Sequence, residues 1–106
     1  MATAYVREYG DIGVTWAGKV VQAPAEPGVA DQTITTSAAS ASSAAFNANT
    51  RVVAVSTAAA QAHCIGFSAT PGAAITATTS MLRLPANSLF FFVVRPGDKL
   101  ALIDVA

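Results

Sequence analysis

Hydrophobic and polar residues alternate with a period of two through much of the second half of the chain. In Arg51–Ser56 the alternation puts Val53 and Val55 on one face, and Gln61–Phe67 follows the same pattern. This period is that of a β-strand, whose successive side chains point to opposite faces of a sheet. Turn residues recur about every 8–12 residues, which is typical of β-sandwiches and jelly rolls. The sequence therefore predicts a small all-β domain of the β-sandwich or jelly-roll type.

The clearest local signal is a pair of apolar runs, Leu89–Val94 and Lys99–Ile103, separated by Arg95–Asp98. Pro96 fixes φ at the first central position of a turn, and Gly97 tolerates the positive φ that a type II turn requires next. The flanks are rich in aromatic and β-branched residues, which favour strands. This pattern predicts a β-hairpin.

The aromatic run inside the first of these strands is apolar on both faces. Phe91 falls on one face, and Phe90 and Phe92 fall on the other. A strand of this kind is usually buried on both sides. We expect one face to meet the opposite sheet and the other to meet a neighbouring subunit or a covering loop, unless this is an ordinary central strand.

The N-terminal part of the chain is less regular, because three glycines interrupt residues 10–18. We expect residues 1–18 to form an N-terminal arm or an edge strand, and residues 19–106 to form one β-sandwich domain. Ser37–Ala45 is a tract of serine and alanine that shows no stripe of large apolar residues with helical period. For this tract we favour a strand or extended connector over a helix.

Small side chains dominate the composition. The chain has 106 residues, of which 24 are alanine and 19 are serine or threonine. A buried alanine contributes much less than the roughly 1.5–3 kcal/mol of a buried leucine or phenylalanine. We therefore expect additional burial at a contact between copies, which predicts a homo-oligomer.

Charge and hydropathy argue against two classes of partner. Six basic and six acidic residues give a net charge of zero, and no basic stripe suits a phosphate backbone, so nucleic acid is not expected. The longest apolar run, Leu89–Val94, is far shorter than the roughly 20 residues of a membrane-spanning helix, so no membrane partner is expected. The single cysteine excludes an internal disulfide and fits synthesis in a cytoplasm.

Candidate residues for chemistry are few. His63 and Cys64 are neighbours in a predicted strand and should point to opposite faces, and the chain has no second histidine or cysteine to complete a zinc site. We interpret the acid pairs as solvated turn residues. These pairs are Glu8 with Asp11 and Asp98 with Asp104. The sequence predicts no catalytic residue, no metal site and no cofactor.

Three aromatic residues near the N-terminus are candidates for partner binding, namely Tyr5, Tyr9 and Trp16. Tryptophan and tyrosine are enriched among the residues that dominate binding energy at interfaces. For Trp16 a second interpretation remains open, in which the indole closes one end of the sandwich.

About half of the chain, residues 50–103, resembles small structural proteins of tailed bacteriophages. The resemblance lies in short strands and the turns between them: Arg51–Val55, Ala62–Phe67 followed by Pro71, Met81–Ala86, Phe91–Val93 and Pro96–Ala101. Similar proteins form compact β-sandwiches and act as head decoration or cement proteins, often as trimers at symmetry axes of the shell. The resemblance implies a non-enzymatic protein on the capsid exterior that binds the major capsid protein.

Two other classes of function remain as alternatives. One is a module of a tail or head fibre that binds a receptor or carbohydrate through exposed aromatic residues such as Tyr9 or Trp16. The other is a small jelly-roll enzyme. That class normally needs a cluster of histidines and carboxylates, so a single histidine argues against it.

Overall fold

The computed structural model describes residues 2–14, 20–24, 28–57, 60–70 and 72–105. Within these ranges the chain forms β-strands and connecting segments and contains no helix. The strands, in chain order, are β1 (Ala2–Tyr9), β2 (Ile12–Val14), β3 (Val20–Pro24), β4 (Ala30–Thr36), β5 (Ala41–Ser42), β6 (Val52–Ser56), β7 (His63–Phe67), β8 (Leu82–Leu84), β9 (Leu89–Val93) and β10 (Leu100–Asp104).

The strands form two four-stranded antiparallel sheets and one small pair. The first sheet has the order β4-β1-β6-β9, and the second has the order β5-β10-β7-β8. Strands β2 and β3 pair with each other. The predicted all-β class is confirmed.

One hydrophobic core is shared by the two sheets. Val53 and Val55 of β6 are buried in it, as the period-two pattern predicts. They lie in the same cluster as Ile65 of β7 and as Leu100 and Leu102 of β10. Each sheet thus buries the apolar face that its alternation creates.

The predicted hairpin at the C-terminal end is wrong, although its turn is right. Gly97 has a φ of 80°, and the Asp98 amide donates to the Arg95 carbonyl at 3.2 Å. However, β9 pairs with β6 in the first sheet, whereas β10 pairs with β5 and β7 in the second. The turn is therefore a corner at which the chain crosses between the sheets. Local turn chemistry is the same in both cases, so the sequence did not distinguish them.

The N-terminal strand is also placed differently from the expectation. Ala2–Tyr9 is neither an arm nor an edge strand, because β1 lies between β4 and β6 and pairs with both. Its alternation explains this position: Ala4 and Val6 enter the core while Tyr5 and Arg7 face outwards. Residues 15–18 of the expected arm lie outside the described residues.

The serine- and alanine-rich tract is extended, as expected. It contains the two-residue strand β5, which pairs with β10, and otherwise irregular backbone. Ser43 in this tract is buried, and its Oγ accepts a hydrogen bond from the Leu100 amide at 3.0 Å. The hydroxyl thus provides an acceptor for the Leu100 amide, just beyond the two residues of β10 that pair with β5.

Two acids that we expected at solvated turns are buried. Glu8 is 2 % exposed and Asp98 is 3 % exposed. Asp98 Oδ2 accepts hydrogen bonds from the Arg95 amide at 3.1 Å and from Arg95 Nε at 3.0 Å. The carboxylate therefore stabilises the turn at which the chain crosses between the sheets.

Candidate functional site

The most distinctive surface of the protein is the outer face of the first sheet along β9. Leu89, Phe91 and Val93 are 57 %, 52 % and 85 % exposed, respectively. Their neighbours Phe90 and Phe92 point inwards and pack against the core. The strand is thus apolar on both faces, as the sequence indicates. Its outward face is not covered by any described part of the chain, so the interpretation as an ordinary central strand is wrong.

Register across the first sheet places small residues between two rows of large ones. Phe91 lies opposite Ala54, and Leu89 lies opposite Ser56. On the other side of β6, Arg7 lies opposite Ala54 and Tyr5 lies opposite Ser56. The result is a trough of about 540 Å³, which we call the β6 trough. Its floor is Ala54 and Ser56, and its walls carry Tyr5 and Arg7 on β1 and Leu89 and Phe91 on β9.

One ion pair gives the β6 trough a polar margin. Arg7 Nε lies 2.7 Å from Asp31 Oδ1, and Arg7 Nη2 lies 3.3 Å from Asp31 Oδ2. The hydrogen bond from Arg7 lowers the pKa of the Asp31 carboxyl below its ordinary value of 3.8. The two charges cancel at close range, so this margin is polar without carrying a net charge.

The structure separates the three aromatic residues expected to bind a partner. Tyr5 is 58 % exposed on the wall of the β6 trough and remains a candidate. Tyr9 is only 7 % exposed and packs with Val52 and Ala54, so it is not available as an anchor. Its register partner on β6 is Val52, whereas the partner of Tyr5 is the smaller Ser56. Trp16 lies outside the described residues.

His63 and Cys64 are both buried and do not form a pair. His63 lies beside Asp104, with Nδ1 and Oδ1 3.1 Å apart. The Cys64 thiol donates to the Thr79 carbonyl with a sulfur–oxygen distance of 3.6 Å. In the described ranges no three histidine, cysteine, aspartate or glutamate side chains cluster at a distance suited to a metal ion. The same ranges contain no helix long and apolar enough to cross a membrane.

Sequence reasoning missed most of this surface for identifiable reasons. The apolar run in β9 was visible, but only the sheet order shows that β9 is an edge strand. The Arg7–Asp31 pair joins residues 24 positions apart, so it leaves no local signal. Ala54 and Ser56 form the floor of a trough only because the strand register places larger residues on both sides of them.

Comparison with known proteins identifies no relative of this chain. The chain matches no family model, no curated protein and no solved structure. The resemblance to phage decoration proteins therefore stays an expectation.

Proposed function

We propose that this protein is a non-enzymatic structural protein of a tailed-bacteriophage virion. In this proposal it is a head decoration or cement protein that binds the outside of the capsid shell and stabilises it. The observation that supports the proposal is the uncovered apolar face of the first sheet, formed by Tyr5, Leu89, Phe91 and Val93. The class of partner, a major capsid protein, comes from the resemblance of residues 50–103.

An apolar face of this kind is costly to leave in water. Monomeric soluble proteins rarely expose large contiguous apolar patches, and such patches mark interaction sites. Fully burying one leucine, valine or phenylalanine side chain contributes roughly 1.5–3 kcal/mol. Leu89, Phe91 and Val93 therefore offer a substantial driving force to a partner with a matching apolar surface.

The surroundings of this face suit a rigid attachment. The β6 trough is built on β1, β6 and β9, three hydrogen-bonded neighbours of one sheet, so its side chains are held by backbone pairing. Among the described residues that line it, the charged ones are Arg7 and Asp31, and they pair with each other. Binding through this surface depends on apolar burial, so we expect attachment to the shell to persist at high salt concentration.

Reconstitution on capsids tests the proposal. The isolated protein is added to phage heads that lack it, and bound protein is measured by sedimentation. We expect wild-type protein to sediment with the heads and to delay their release of DNA on heating. We expect Tyr5→Lys to bind much less, because it places an ammonium group on the wall of the β6 trough.

A matched control separates this effect from added charge. Thr35→Lys introduces the same charge at an exposed position of β4 in the same sheet, and we expect it to bind like the wild type. Failure of the wild-type protein to bind heads would contradict the proposal. Equal binding by Tyr5→Lys would contradict the assignment of this face.

A second candidate function is a fibre module that binds carbohydrate. The specific observation in its favour is that two exposed aromatic rings, Tyr5 and Phe91, flank the β6 trough beside the polar Arg7–Asp31 pair. Aromatic faces for stacking and charged groups for hydroxyls are what a sugar site requires. Chemical-shift changes confined to this trough on adding host-surface glycans, without binding to heads, would favour this function over decoration.

A further inference from the structure

We propose that strand β9 of one copy pairs antiparallel with strand β9 of a second copy, which joins two first sheets into one continuous sheet. This inference concerns self-association and goes beyond attachment to a capsid. It rests on the backbone of β9 and on the residues at its two ends.

One edge of β9 carries backbone groups that pair with no other described residue. Val94 donates its amide to the Arg51 carbonyl at 2.8 Å, and Ser88 accepts from the Thr57 amide at 2.9 Å. Along an antiparallel strand, residues alternate between facing the partner and facing away. The register of β9 with β6 is unbroken. Because Ser88 and Val94 face β6, the residues that direct their N–H and C=O groups to the open edge are Leu89, Phe91 and Val93.

This edge lacks the features that normally prevent pairing. Natural sheets protect their edges with charged residues, prolines, bulges or very short strands. Strand β9 has five residues with no charge, no proline and no bulge. The other edges of the two four-stranded sheets differ. Strand β4 exposes Asp31, β5 has two residues, and β8 has three residues that include Arg83.

A second copy fits this edge because the strand is self-complementary about Phe91. A twofold axis there sets Phe91 opposite Phe91 of the other copy and Leu89 opposite Val93, so every edge-facing amide gains a partner. The paired register covers Leu89–Val93, because Asn87 lies in a turn with a φ of 53° and the Arg95 guanidinium bonds to Asp98 and to the Ser68 carbonyl of its own copy. No like charges meet at any position, and symmetric contacts of this type close at two copies.

The inward side of the strand supports the same arrangement. Phe90 and Phe92 pack against the core but remain only partly buried. Phe92 contacts Phe67 of the second sheet at a ring-centroid distance of 5.0 Å and lies beside an open depression. In the paired register, Phe90 of one copy neighbours Phe92 of the other. Pairing therefore closes the open side of both sandwiches with aromatic side chains.

Geometry sets the expected oligomer. Each copy has one β9 edge, and an edge strand pairs once, so the product is a dimer and not the trimer that the resemblance implies. A pair of five-residue strands buries less than the roughly 1,200–2,000 Å² of a standard interface. We therefore expect a dimer whose population rises with protein concentration.

Opposite charges at residue 91 test the pairing and its register. Sedimentation velocity on the isolated protein measures wild type, Phe91→Lys, Phe91→Glu and an equimolar mixture of the two variants. We expect wild type to dimerise. Each variant alone should dimerise roughly tenfold more weakly or worse, because two like charges would face each other at the axis. The mixture should recover a dimer, because opposite charges then meet.

Thr35→Lys should dimerise like the wild type. Three results would overturn the proposal. The wild-type protein could remain monomeric at a concentration of about 1 mM, it could form a trimer, or the mixture of the two variants could fail to form a dimer. NMR spectra of the backbone amides verify that the variants fold. If the substitutions at residue 91 unfold the chain, Val93→Lys replaces them, because this position is 85 % exposed. We expect Val93→Lys to weaken the dimer as well. Capsids play no part in this experiment, so its failure would leave the proposed decoration role untouched.

Discussion

The Glu8 carboxylate accepts a 2.7 Å hydrogen bond from the Thr50 hydroxyl, and both residues are fully or almost fully buried. The same oxygen, Oε1, accepts from the Asn47 amide at 2.7 Å, and Oε2 accepts from Gln32 Nε2 at 2.9 Å. One side chain on β1 thus holds both β4 and the segment that enters β6. A buried charge with several donors is strongly favoured over the same charge left alone.

Removing this carboxylate should destabilise the fold. We expect Glu8→Ala to lower the free energy of unfolding by about 2–4 kcal/mol, because it leaves the buried Thr50 hydroxyl and two partly buried donors without their acceptor. Glu8→Gln should lower it by about 1–2 kcal/mol, because the amide retains one acceptor oxygen. Urea unfolding measures both. Asp31→Asn, a matched change at an exposed acid, should have a much smaller effect, and equal effects at the two positions would contradict this assignment.

A buried hydroxyl also forms hydrogen bonds with backbone groups that lie just beyond the ends of the strands. Thr57 Oγ1 donates to the Pro85 carbonyl at 2.8 Å and accepts from the Ser88 amide at 2.8 Å. We expect Thr57→Val, which keeps the shape, to lower the free energy of unfolding by about 1–3 kcal/mol. Thermal or urea unfolding checks this value against Thr35→Val at an exposed position, which should be nearly neutral. A neutral Thr57→Val would show that water replaces both hydrogen bonds.

The corner between the sheets depends on one glycine. Gly97 has a φ of 80°, a conformation that disfavours a Cβ atom, although nothing lies within 4 Å of the position the Cβ would take. We expect Gly97→Ala to lower the free energy of unfolding by about 1–2 kcal/mol through backbone strain alone. Gly10→Ala is the control, since its Cβ would meet only ordinary contacts at 3.4 Å and beyond. Similar free energies of unfolding for the two variants would contradict the expectation of backbone strain at residue 97.

The ion pair beside the β6 trough should be visible in a titration. The hydrogen bond from Arg7 lowers the pKa of Asp31, so carbon NMR of its carboxyl should give a midpoint below 3.8. Arg7→Gln should return this pKa towards its ordinary value. A lowered pKa in the folded state means that the pair stabilises the fold above the ordinary pKa and loses that effect as the pH falls through the lowered one. An unchanged midpoint in Arg7→Gln would contradict the pairing.

Local patterns predict the strands of this protein better than their partners. The alternation in Arg51–Ser56 and the turn at Pro96–Gly97 both appear where the sequence places them. Which strands pair depends on contacts between distant residues, and identical turn residues serve a hairpin and a corner. For this reason the sequence predicted a hairpin where β9 and β10 belong to different sheets.

The candidate site shows the same limit. Tyr5 and Tyr9 are equivalent in sequence, because both lie on the outward side of one strand. The register places Tyr5 opposite Ser56 and Tyr9 opposite Val52, so one ring stays exposed while the other is covered. The residues beside the two rings are 51 and 43 positions away in the chain, so local composition does not predict which ring is exposed.

The composition of purified virus particles tests the proposed decoration role most directly. Particles from the source of the chain are dissociated, and the copy number of this protein is measured against that of the major shell protein by quantitative mass spectrometry. We expect a copy number comparable to that of the shell protein, as an exterior decoration requires. A handful of copies per particle would favour a tail or fibre module instead, and absence of the protein from the particles would contradict the role altogether.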